Sequence, residues 1–398
     1  MRIGISAEFI GAVSCGMATY TQNLLHGLAE LETGHRFFPY LSVPDGLARM
    51  PTAGHVVPRL VRPYNAWVRM PLTLPAELLR RPVDLFHATP GWAPPWCPAP
   101  IVATIHDIAF ETASPQTYTV AMRWRLRWLV RSTVRRALRL ICPSQATARD
   151  LERLYHVPAD KIRVIHNPLE RSMAPVTNQL EVERVRSRYG LSGPYILYLG
   201  MVEPKKNVDR LMHAYTSLRR ERGIPHRLVL AGRAGWMSGP ILDLAARLAP
   251  DVRVLGEVPQ ADVPALYTAA DAFAFLSTAE GFGYPPLEAM ACGCPVLAGQ
   301  GGSLPEILGD AAVFVDPQQL ARVDEGLARL LDDKDLRARL RSRGLERARA
   351  FGLAATASRV LSVYEECFEE IGRARRTAAE PPVRRSGRDR IQAEKEQV

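Results

Sequence analysis

The chain has 398 residues, 47% of them hydrophobic and 23% charged, which fits a globular protein of two domains. No run approaches the roughly 18 uninterrupted apolar residues of a membrane-spanning helix, and six cysteines are too few for a disulfide framework in a chain this long. The net charge of +10 leaves nucleic acid, membrane surfaces and anionic substrates open as partners.

In the first half of the chain, short apolar runs alternate with helical patterns. The N-terminus enters the first run at once, unlike a signal peptide, and with the sparse cysteines this leads us to expect a cytoplasmic protein. Strands are expected at residues 2–7, 37–43, 83–88, 101–105, 140–142 and 162–165, with helices around 20–28 and 145–155. The alternation predicts a doubly wound parallel sheet in a first domain at residues 1–170.

A polar stretch separates the two halves. Because Pro168 and Pro175 interrupt it, we expect an inter-domain linker at residues 171–193, with a short helix near 181–189. The alternation then resumes and predicts a second α/β domain at residues 194–355. Its strands are expected at 195–199, 228–231, 252–255, 272–276, 295–298 and 311–315, and its helices at 208–222, 263–270 and from 317 onward.

The C-terminal part divides into a helix and a tail. A final helix at residues 356–376 has an apolar face that needs a partner, formed by Val360, Leu361, Val363, Tyr364 and Phe368. Residues 377–398 are charged, contain two consecutive prolines and have almost no apolar content, so we expect a disordered tail.

Two glutamates flank a glycine loop in the stretch Glu280-Gly-Phe-Gly-Tyr-Pro-Pro-Leu-Glu288, which follows the expected strand at 272–276. Gly281 and Gly283 permit a tight turn, and the prolines suit the first turn of a helix whose free N–H groups favour anions. Carboxylates at such a junction can accept hydrogen bonds from adjacent hydroxyls, as acidic residues do with ribose. The pair alone would also fit a strand end and a helix-dipole contact, because this spacing is common by accident.

Basic residues follow two other expected strands of the second half. The segment Gly200-Met-Val-Glu-Pro-Lys-Lys206-Asn comes directly after the strand at 195–199, and Arg233 follows the next strand. A glycine, a cation and a helix start suit a diphosphate, and open α/β sheets bind ligands at the carboxyl ends of their strands. For Lys205 and Lys206 alone, a solvated turn is the other interpretation.

Two features of the first half are candidates for the opposite side of a site. His106 and Asp107 end the strand at 101–105, where Asp107 could orient the imidazole or cap the following turn. A glycine loop, Gly11-Ala-Val-Ser-Cys-Gly16, follows the first strand. It contains no G-x-G-x-x-G pattern, so a nicotinamide or flavin site finds no support.

The stretch from Glu280 through Leu-Glu288-Ala-Met-Ala-Cys-Gly-Cys-Pro-Val to Ser303-Leu-Pro-Glu306 closely resembles the donor-site motif of family-four retaining glycosyltransferases, which have the GT-B fold. The resemblance implies two Rossmann-like domains that face a central cleft, with the acceptor side in the first domain and the nucleotide sugar on the second. It also implies that the terminal helix crosses back to the first domain. The resemblance spans most of residues 1–375 and is more specific in the second half.

The same resemblance implies roles for individual residues. Glu280 would contact the transferred sugar, Glu288 the nucleotide ribose, Lys206 the diphosphate, and His106 the sugar from the opposite domain. His106, Glu280 and Lys206 are therefore the catalytic candidates. The donor-binding candidates are Gly16, Lys205, Arg233, Glu280, Gly281, Phe282, Gly283 and Glu288.

Two positions depart from the family pattern. Met201 stands where many members carry an arginine that grips the diphosphate, so we expect Lys205 or Arg233 to replace that cation. In the glycine loop, which faces donor phosphate and acceptor in the family, Met17-Ala18 replaces a commoner Gly-Arg pattern.

The resemblance, together with these residues, implies a retaining, metal-independent hexosyltransferase without a cofactor, active in polysaccharide or glycoconjugate biosynthesis. Its co-substrate would be a nucleotide-diphosphate sugar, and its acceptor a hydroxyl of a glycan, a lipid-linked or a small molecule. The segments around Lys206 and Arg233 resemble the mannosyltransferase-like branch, which favours GDP-mannose over UDP-hexoses. A sugar phosphorylase or sugar-phosphate-binding enzyme on the same fold is one alternative. A basic nucleic-acid-binding protein is another, but no nucleic-acid module accompanies the charge.

An arginine-rich segment stands apart from these motifs. The segment from Arg123 to Arg139 contains seven arginines, with Trp124 and Trp128 among them. If the tryptophans face outward, segment 123–139 predicts contact with anionic lipid at the inner face of the membrane. If they turn into the core, the segment is an ordinary exposed helix.

Overall fold

The computed structural model describes residues 1–13, 15–112 and 119–379 and contains two parallel sheets. The first sheet has the spatial order β3-β2-β1-β4-β5-β6-β7. Its strands are β1 (Arg2–Ser6), β2 (Arg36–Leu41), β3 (Arg59–Leu60), β4 (Leu85–Ala88), β5 (Ile101–Thr104), β6 (Arg139–Cys142) and β7 (Ile162–Val164). Its helices are α1 (Gly16–Ala29), α2 (Ala66–Val68), α3 (Leu74–Arg80), α4 (Ala109–Thr112), α5 (Val120–Arg136) and α6 (Gln145–Tyr155).

The second sheet has the order β10-β9-β8-β11-β12-β13. Its strands are β8 (Tyr195–Leu199), β9 (Arg227–Ala231), β10 (Val252–Gly256), β11 (Ala272–Phe275), β12 (Val296–Gly299) and β13 (Ala312–Val315). The remaining helices are α7 (Gln179–Arg188), α8 (Val208–Arg222), α9 (Gly239–Arg247), α10 (Val263–Ala269), α11 (Tyr284–Ala291), α12 (Leu304–Leu308), α13 (Leu320–Asp332), α14 (Lys334–Arg349) and α15 (Leu353–Ala379).

The central strands are apolar on both faces because helices cover both faces of each sheet. Ile3, Leu85 and Val102 of the first sheet and Leu197 and Phe273 of the second are fully buried. Continuous apolar runs of this kind are typical of parallel sheets. The strand β3 has no counterpart among the expected strands, because its two residues at the sheet edge carry no apolar run.

The last helix, α15, crosses back to the first domain, as the resemblance implies. Gly27 lets α1 and α15 touch, because a Cβ atom built there would lie 2.5 Å from the carbonyl oxygen of Leu353. Farther along, the hydroxyl of Tyr364 lies 2.6 Å from Nδ1 of His87 in β4, and both side chains are fully buried. The two-domain arrangement with a returning helix is therefore the observed fold.

The prediction for the C-terminus needs one correction. Residues 377–379 belong to α15 rather than to a disordered tail, since Ala378 and Ala379 are strong helix formers. The rest of the predicted tail, residues 380–398, lies outside the described residues. Within the described ranges, no helix combines the length and the apolar character needed to cross a bilayer.

Candidate active site

A cleft of about 570 Å³ opens between the two sheets. Its walls include His106 after β5, Gly200 after β8, Arg233 after β9 and Glu280 after β11. These residues all follow the carboxyl end of a parallel strand, which is where open α/β sheets bind ligands. The candidate residues from both halves of the sequence therefore meet at one place.

The glycine loop between β11 and α11 holds the two domains together. Gly283 has a φ of +93°, which L side chains rarely adopt, and it immediately precedes α11. Gly281 makes a closer approach, since a Cβ atom built there would lie 1.7 Å from the carbonyl oxygen of His106. The carbonyl oxygen of Gly281 accepts a 2.8 Å hydrogen bond from Ser144 Oγ, and Phe282 lines the cleft between the glycines. Both positions therefore require glycine, one for conformation and one for space.

Glu280 and Lys206 form an ion pair in this cleft. Lys206 Nζ donates a hydrogen bond to Glu280 Oε1, and the side chains are only 11% and 13% exposed. The ammonium group also lies 4.9 Å from the ring centroid of Phe275. Burial raises the pKa of the Glu280 carboxyl, but the charges of Lys206 and Lys205 and hydrogen bonds from Lys206 and Ser277 outweigh burial and lower it. Glu280 is therefore ionised near neutral pH and accepts hydrogen bonds.

Glu288 faces the same cleft from α11, just beyond the first turn of the helix. Tyr267 of α10 donates a 3.3 Å hydrogen bond to its Oε2 atom. Burial raises the pKa of the Glu288 carboxyl from 4.5 to about 7, although the hydrogen bond from Tyr267 acts in the opposite direction. Near pH 7 the group therefore exists in both protonation states, and the ionised form accepts hydrogen bonds from neighbouring hydroxyls.

His106 lies on the opposite wall of the cleft and is neutral at pH 7. Burial lowers its pKa to about 4. Its Nε2 lies 2.9 Å from the carbonyl oxygen of Thr89, so Nε2 carries the hydrogen and Nδ1 keeps a lone pair. The ring packs edge-on against Tyr20 at 4.9 Å between centroids. Asp107 accepts a 3.0 Å hydrogen bond from the N–H of Ala109, so it caps the following turn.

The remaining donor-site candidates differ in position. Gly16 begins α1 at the cleft wall, and Arg233 and Met201 also line the cleft. Lys205 is not among the lining residues, and its ammonium group lies 3.5 Å from the carboxylate of Glu203. Of the two candidates for the cation missing at Met201, Arg233 is the one that reaches the cleft.

Glu306 makes a contact between the domains that the sequence does not reveal. Its carboxylate accepts hydrogen bonds of 2.9 Å from the N–H of Gln145 and 3.3 Å from the N–H of Ala146, at the start of α6. His166 Nε2 lies 3.0 Å from the same carboxylate. Burial raises the pKa of Glu306, but the hydrogen bonds from His166 and the two amides outweigh burial and lower it. The segment that ends in Glu306 belongs to the family motif, yet no spacing rule predicts a partner 160 residues away.

The cleft also has an apolar wall, which the sequence did not lead us to expect. Met122, Leu126 and Val130 of α5 line the cleft together with Trp92 and Phe110. In the sequence these residues look like ordinary core positions, because an apolar side chain at helical spacing carries no mark of a ligand surface.

The tryptophans of α5 settle the choice between the two interpretations of the arginine-rich segment. Trp124 is 68% exposed and Trp128 is 54% exposed. The interpretation that turns them into the core is therefore wrong, and the segment presents aromatic and cationic groups to solvent.

No cluster of three or more His, Cys, Asp or Glu side chains suited to a metal ion occurs in the described part of the chain. An Asp-x-Asp sequence, Asp333-Lys334-Asp335, lies where α14 begins. There Asp333 accepts a 2.7 Å hydrogen bond from the N–H of Leu336, which is a helix cap. Neither aspartate lines the cleft.

Two family models match the chain. The model described as Glycosyl transferases group 1 matches residues 181–347, and the model described as Glycosyltransferase Family 4 matches residues 15–172. The first range contains Lys206, Glu280 and Glu288, and the second contains Gly16 and His106. Both walls of the cleft therefore fall within the matched ranges.

Two individual relatives are glycosyltransferases as well. The O-antigen chain mannosyltransferase B of Escherichia coli is 31% identical over 296 residues, which cover 73% of this chain and 76% of that protein. The D-inositol 3-phosphate glycosyltransferase of Thermobispora bispora is 33% identical over 248 residues, covering 59% of this chain and little more than half, 57%, of that protein.

A solved structure supports the fold. The structure of Anabaena Alr3699/HepE in complex with UDP-glucose matches with a TM-score of 0.73 and 19% sequence identity. The match covers 92% of this chain and all of that one. At this level of identity the likeness concerns the arrangement of the two domains.

Proposed function

Since the chain belongs to glycosyltransferase family 4, we propose that it transfers a hexose with retained configuration from a nucleotide-diphosphate sugar to a hydroxyl acceptor. One observation carries this proposal. Lys206, Glu280, Glu288 and His106 line a single cleft between two parallel-sheet domains. The cleft thus combines a cation suited to a diphosphate with carboxylates suited to hydroxyl groups and a neutral imidazole.

Donor binding is assigned to the second domain. Glu288 accepts hydrogen bonds from the ribose hydroxyls, Glu280 binds hydroxyls of the hexose, and Lys206 and Arg233 contact the diphosphate. The ammonium group of Lys206 has three N–H donors, so it can keep its bond to Glu280 while it donates to a phosphate oxygen. The ion pair therefore fixes both groups before the donor enters, which reduces the reorganisation required on binding.

The reaction step needs stabilisation of the leaving group. Negative charge gathers on the departing diphosphate, where Lys206, Arg233 and the backbone N–H groups of Gly283 and Tyr284 at the start of α11 can stabilise it without a metal ion. The two prolines that follow have no N–H to offer. We assign to the departing phosphate the acceptance of the acceptor's proton, as the new glycosidic bond forms on the same face. The neutral ring of His106 holds a sugar hydroxyl through Nδ1.

Domain contact protects the donor from water in this proposal. Gly281 lies against His106, Ser144 donates to the Gly281 carbonyl oxygen, and Glu306 joins the start of α6. Closure of this kind excludes water and so suppresses hydrolysis of the donor.

GDP-mannose is the favoured donor in this proposal, and a UDP-hexose is the next candidate. The segments around Lys206 and Arg233 support this order, as does the similarity to the O-antigen chain mannosyltransferase B. Because Alr3699/HepE binds UDP-glucose, a uridine donor is the second candidate. A cytoplasmic protein that contacts the inner face of an anionic membrane through segment 123–139 is part of the same proposal.

A nucleotide-sugar screen tests the proposal. The purified protein is incubated with GDP-mannose, UDP-glucose, UDP-galactose and other nucleotide sugars, and release of nucleoside diphosphate is measured. We expect GDP release from GDP-mannose to be fastest, with a product of retained anomeric configuration by mass spectrometry and NMR. A sugar phosphorylase would release no nucleoside diphosphate and would form a sugar phosphate instead. A nucleic-acid-binding protein would neither release a nucleoside diphosphate nor form a sugar phosphate. Absence of turnover and of binding with every donor would contradict the proposal.

A further inference from the structure

Four tryptophans of the first domain are exposed. The exposed fractions are 68% for Trp67, 76% for Trp96, 68% for Trp124 and 54% for Trp128. The chain has only six tryptophans, so most of them are exposed in this domain rather than buried in the core. Exposed tryptophan is unusual in a soluble domain but common where a protein meets the interface of a bilayer.

Contacts place Trp67 and the segment that carries Trp96 beside α5. Trp124 and Trp128 are four positions apart and therefore neighbours on the helix surface. The guanidinium carbon of Arg125 lies 4.1 Å from the ring centroid of Trp67, which brings α2 beside α5. At the other end, Arg136 donates 2.9 Å hydrogen bonds to the carbonyl oxygens of the two prolines that precede Trp96. We call Trp67, Trp96, Trp124, Trp128 and the exposed arginines between them the α5 surface.

The charge of the α5 surface has one sign. No aspartate or glutamate occurs in the sequence between Glu111 and Asp150. Arg127 is paired with Glu111, but Arg125, Arg131 and Arg135 are exposed along the helix. A ladder of guanidinium groups beside indole rings is complementary to an anionic lipid interface, where indoles sit at the headgroup level and arginines meet phosphate.

The opposite face of the same helix belongs to the cleft. Met122, Leu126 and Val130 line the cleft at four-residue intervals. Because each residue turns the helix by about 100°, Trp124 lies roughly 200° around the axis from Met122. One helix thus separates the outer α5 surface from the apolar wall of the site.

From this arrangement we propose that the α5 surface docks on an anionic bilayer and that the acceptor is an amphiphile held in that bilayer. This inference rests on the proposed function: it specifies the membrane contact named there and adds the class of the acceptor. Met122, at the N-terminal end of the apolar wall, is 49% exposed, so docking brings this open end of the wall near the lipid. The sugar hydroxyl of the acceptor then reaches Glu280 and His106, while its apolar portion follows Met122 and Leu126 back towards the lipid.

Vesicle sedimentation of the full chain tests the docking. The probe is a vesicle with about 30% phosphatidylglycerol in phosphatidylcholine, compared with pure phosphatidylcholine, at about 50 mM and about 500 mM salt. We expect binding to the anionic vesicles at low salt, with at least about tenfold weaker binding at high salt or without the anionic lipid.

Two variants separate the contributions of the tryptophans and of the arginines to vesicle binding. Trp124→Ala/Trp128→Ala and Arg125→Gln/Arg131→Gln/Arg135→Gln should each weaken vesicle binding at least about tenfold. The matched controls are Arg220→Gln/Arg339→Gln/Arg349→Gln, which removes the same charge from exposed positions of the second domain, and Trp236→Ala. These controls should bind vesicles like the wild type.

Several outcomes would overturn the inference. Wild-type protein that stays in the supernatant with anionic vesicles would do so, as would controls that weaken binding as much as the α5 variants. Self-association lost in the tryptophan variant would assign the surface to a second copy, and tighter binding to duplex DNA than to vesicles would assign it to nucleic acid. Donor calorimetry on the same samples separates this failure from failure of the proposed sugar transfer, because the α5 surface lies outside the donor residues.

The acceptor class has its own readout. Labelled sugar from the donor is offered to membranes of the cells that make the protein, and the product is partitioned between butanol and water. We expect label in the butanol phase and at least about tenfold less of it with the tryptophan variant. Label confined to water-soluble products would contradict a bilayer-held acceptor even if transfer occurs.

Discussion

The proposed donor side and the proposed acceptor side of the cleft are built from different kinds of side chain. On the donor side, Lys206, Glu280 and Glu288 come from loops and a helix that follow strands, and the charges of Lys206 and Glu280 interact. On the acceptor side, Met122 and Leu126 come from one face of a helix and carry no charge. The difference teaches that few residue types can hold a diphosphate and a ribose, whereas many can build an apolar wall.

The largest effect on activity is expected where the two sides touch, at the contact between the glycine loop and His106. In Gly281→Ala, the new Cβ atom would overlap the carbonyl oxygen of His106, so the domains must separate. A displacement of about 1 Å can lower kcat/KM about a hundredfold. Steady-state transfer and donor calorimetry measure the effect, and we expect transfer to fall while donor affinity changes little.

Gly54→Ala is the matched control, because a Cβ atom at Gly54 meets nothing within 4 Å. It should leave transfer at the wild-type level. Full activity of Gly281→Ala would show that the contact between the loop and His106 is not needed for the reaction.

The burial of Glu288 on the donor side predicts a pH dependence of stability. The pKa of the Glu288 carboxyl is about 7 in the folded state, above the ordinary 4.5. Between these two pH values the folded state keeps a proton that the unfolded chain releases. Stability therefore falls as pH rises through this window, by on the order of 2 kcal/mol between pH 5 and pH 8. Glu288→Gln removes this loss, so its stability relative to the wild type should increase towards pH 8.

Denaturant unfolding at the two pH values measures this prediction. Glu346→Gln, at an exposed position of α14, is the matched control and should show no such trend. An equal difference between Glu288→Gln and the wild type at both pH values would contradict a raised pKa.

Arg233 and Lys205 are the two candidates for the cation that binds the diphosphate in place of the arginine absent at Met201. Arg233 lines the cleft and Lys205 does not, so Arg233→Ala should weaken binding of a nucleoside diphosphate about tenfold and Lys205→Ala less than about threefold. Calorimetry with GDP and UDP measures both, and Arg247→Ala on α9 controls for loss of an exposed arginine. The reverse order would mean that Lys205 replaces the arginine absent at Met201.

The smallest expected effect concerns Glu306. Glu306→Gln removes the charge that faces His166 and the start of α6, which should lower kcat/KM about threefold. Because the pKa of Glu306 is held below its ordinary value, the wild type should lose this contribution only as acid protonates the carboxylate. Small-angle scattering should show a more open variant, and an unchanged profile with unchanged kcat/KM would exclude a role in closure.

The parallel sheets and the donor loop could be predicted from the sequence because their residues carry local marks. Buried strands such as β8 are continuous apolar runs, and Gly283 with the following prolines marks a strand-to-helix turn. The contact of Tyr267 with Glu288 and that of Glu306 with α6 join distant segments, so no local pattern reveals them. The wall around Leu126 escaped prediction for another reason, since a ligand surface made of aliphatic side chains resembles core packing.

Titration of GDP-mannose and UDP-glucose into the wild type, Lys206→Ala and Glu288→Ala tests the central claim, the donor site between the domains, most directly. The account predicts that the wild type binds at least one of the two donors and that each variant binds it about a hundredfold more weakly, because each loses a charged hydrogen-bonding group in a buried site. Wild-type affinity in both variants would contradict it.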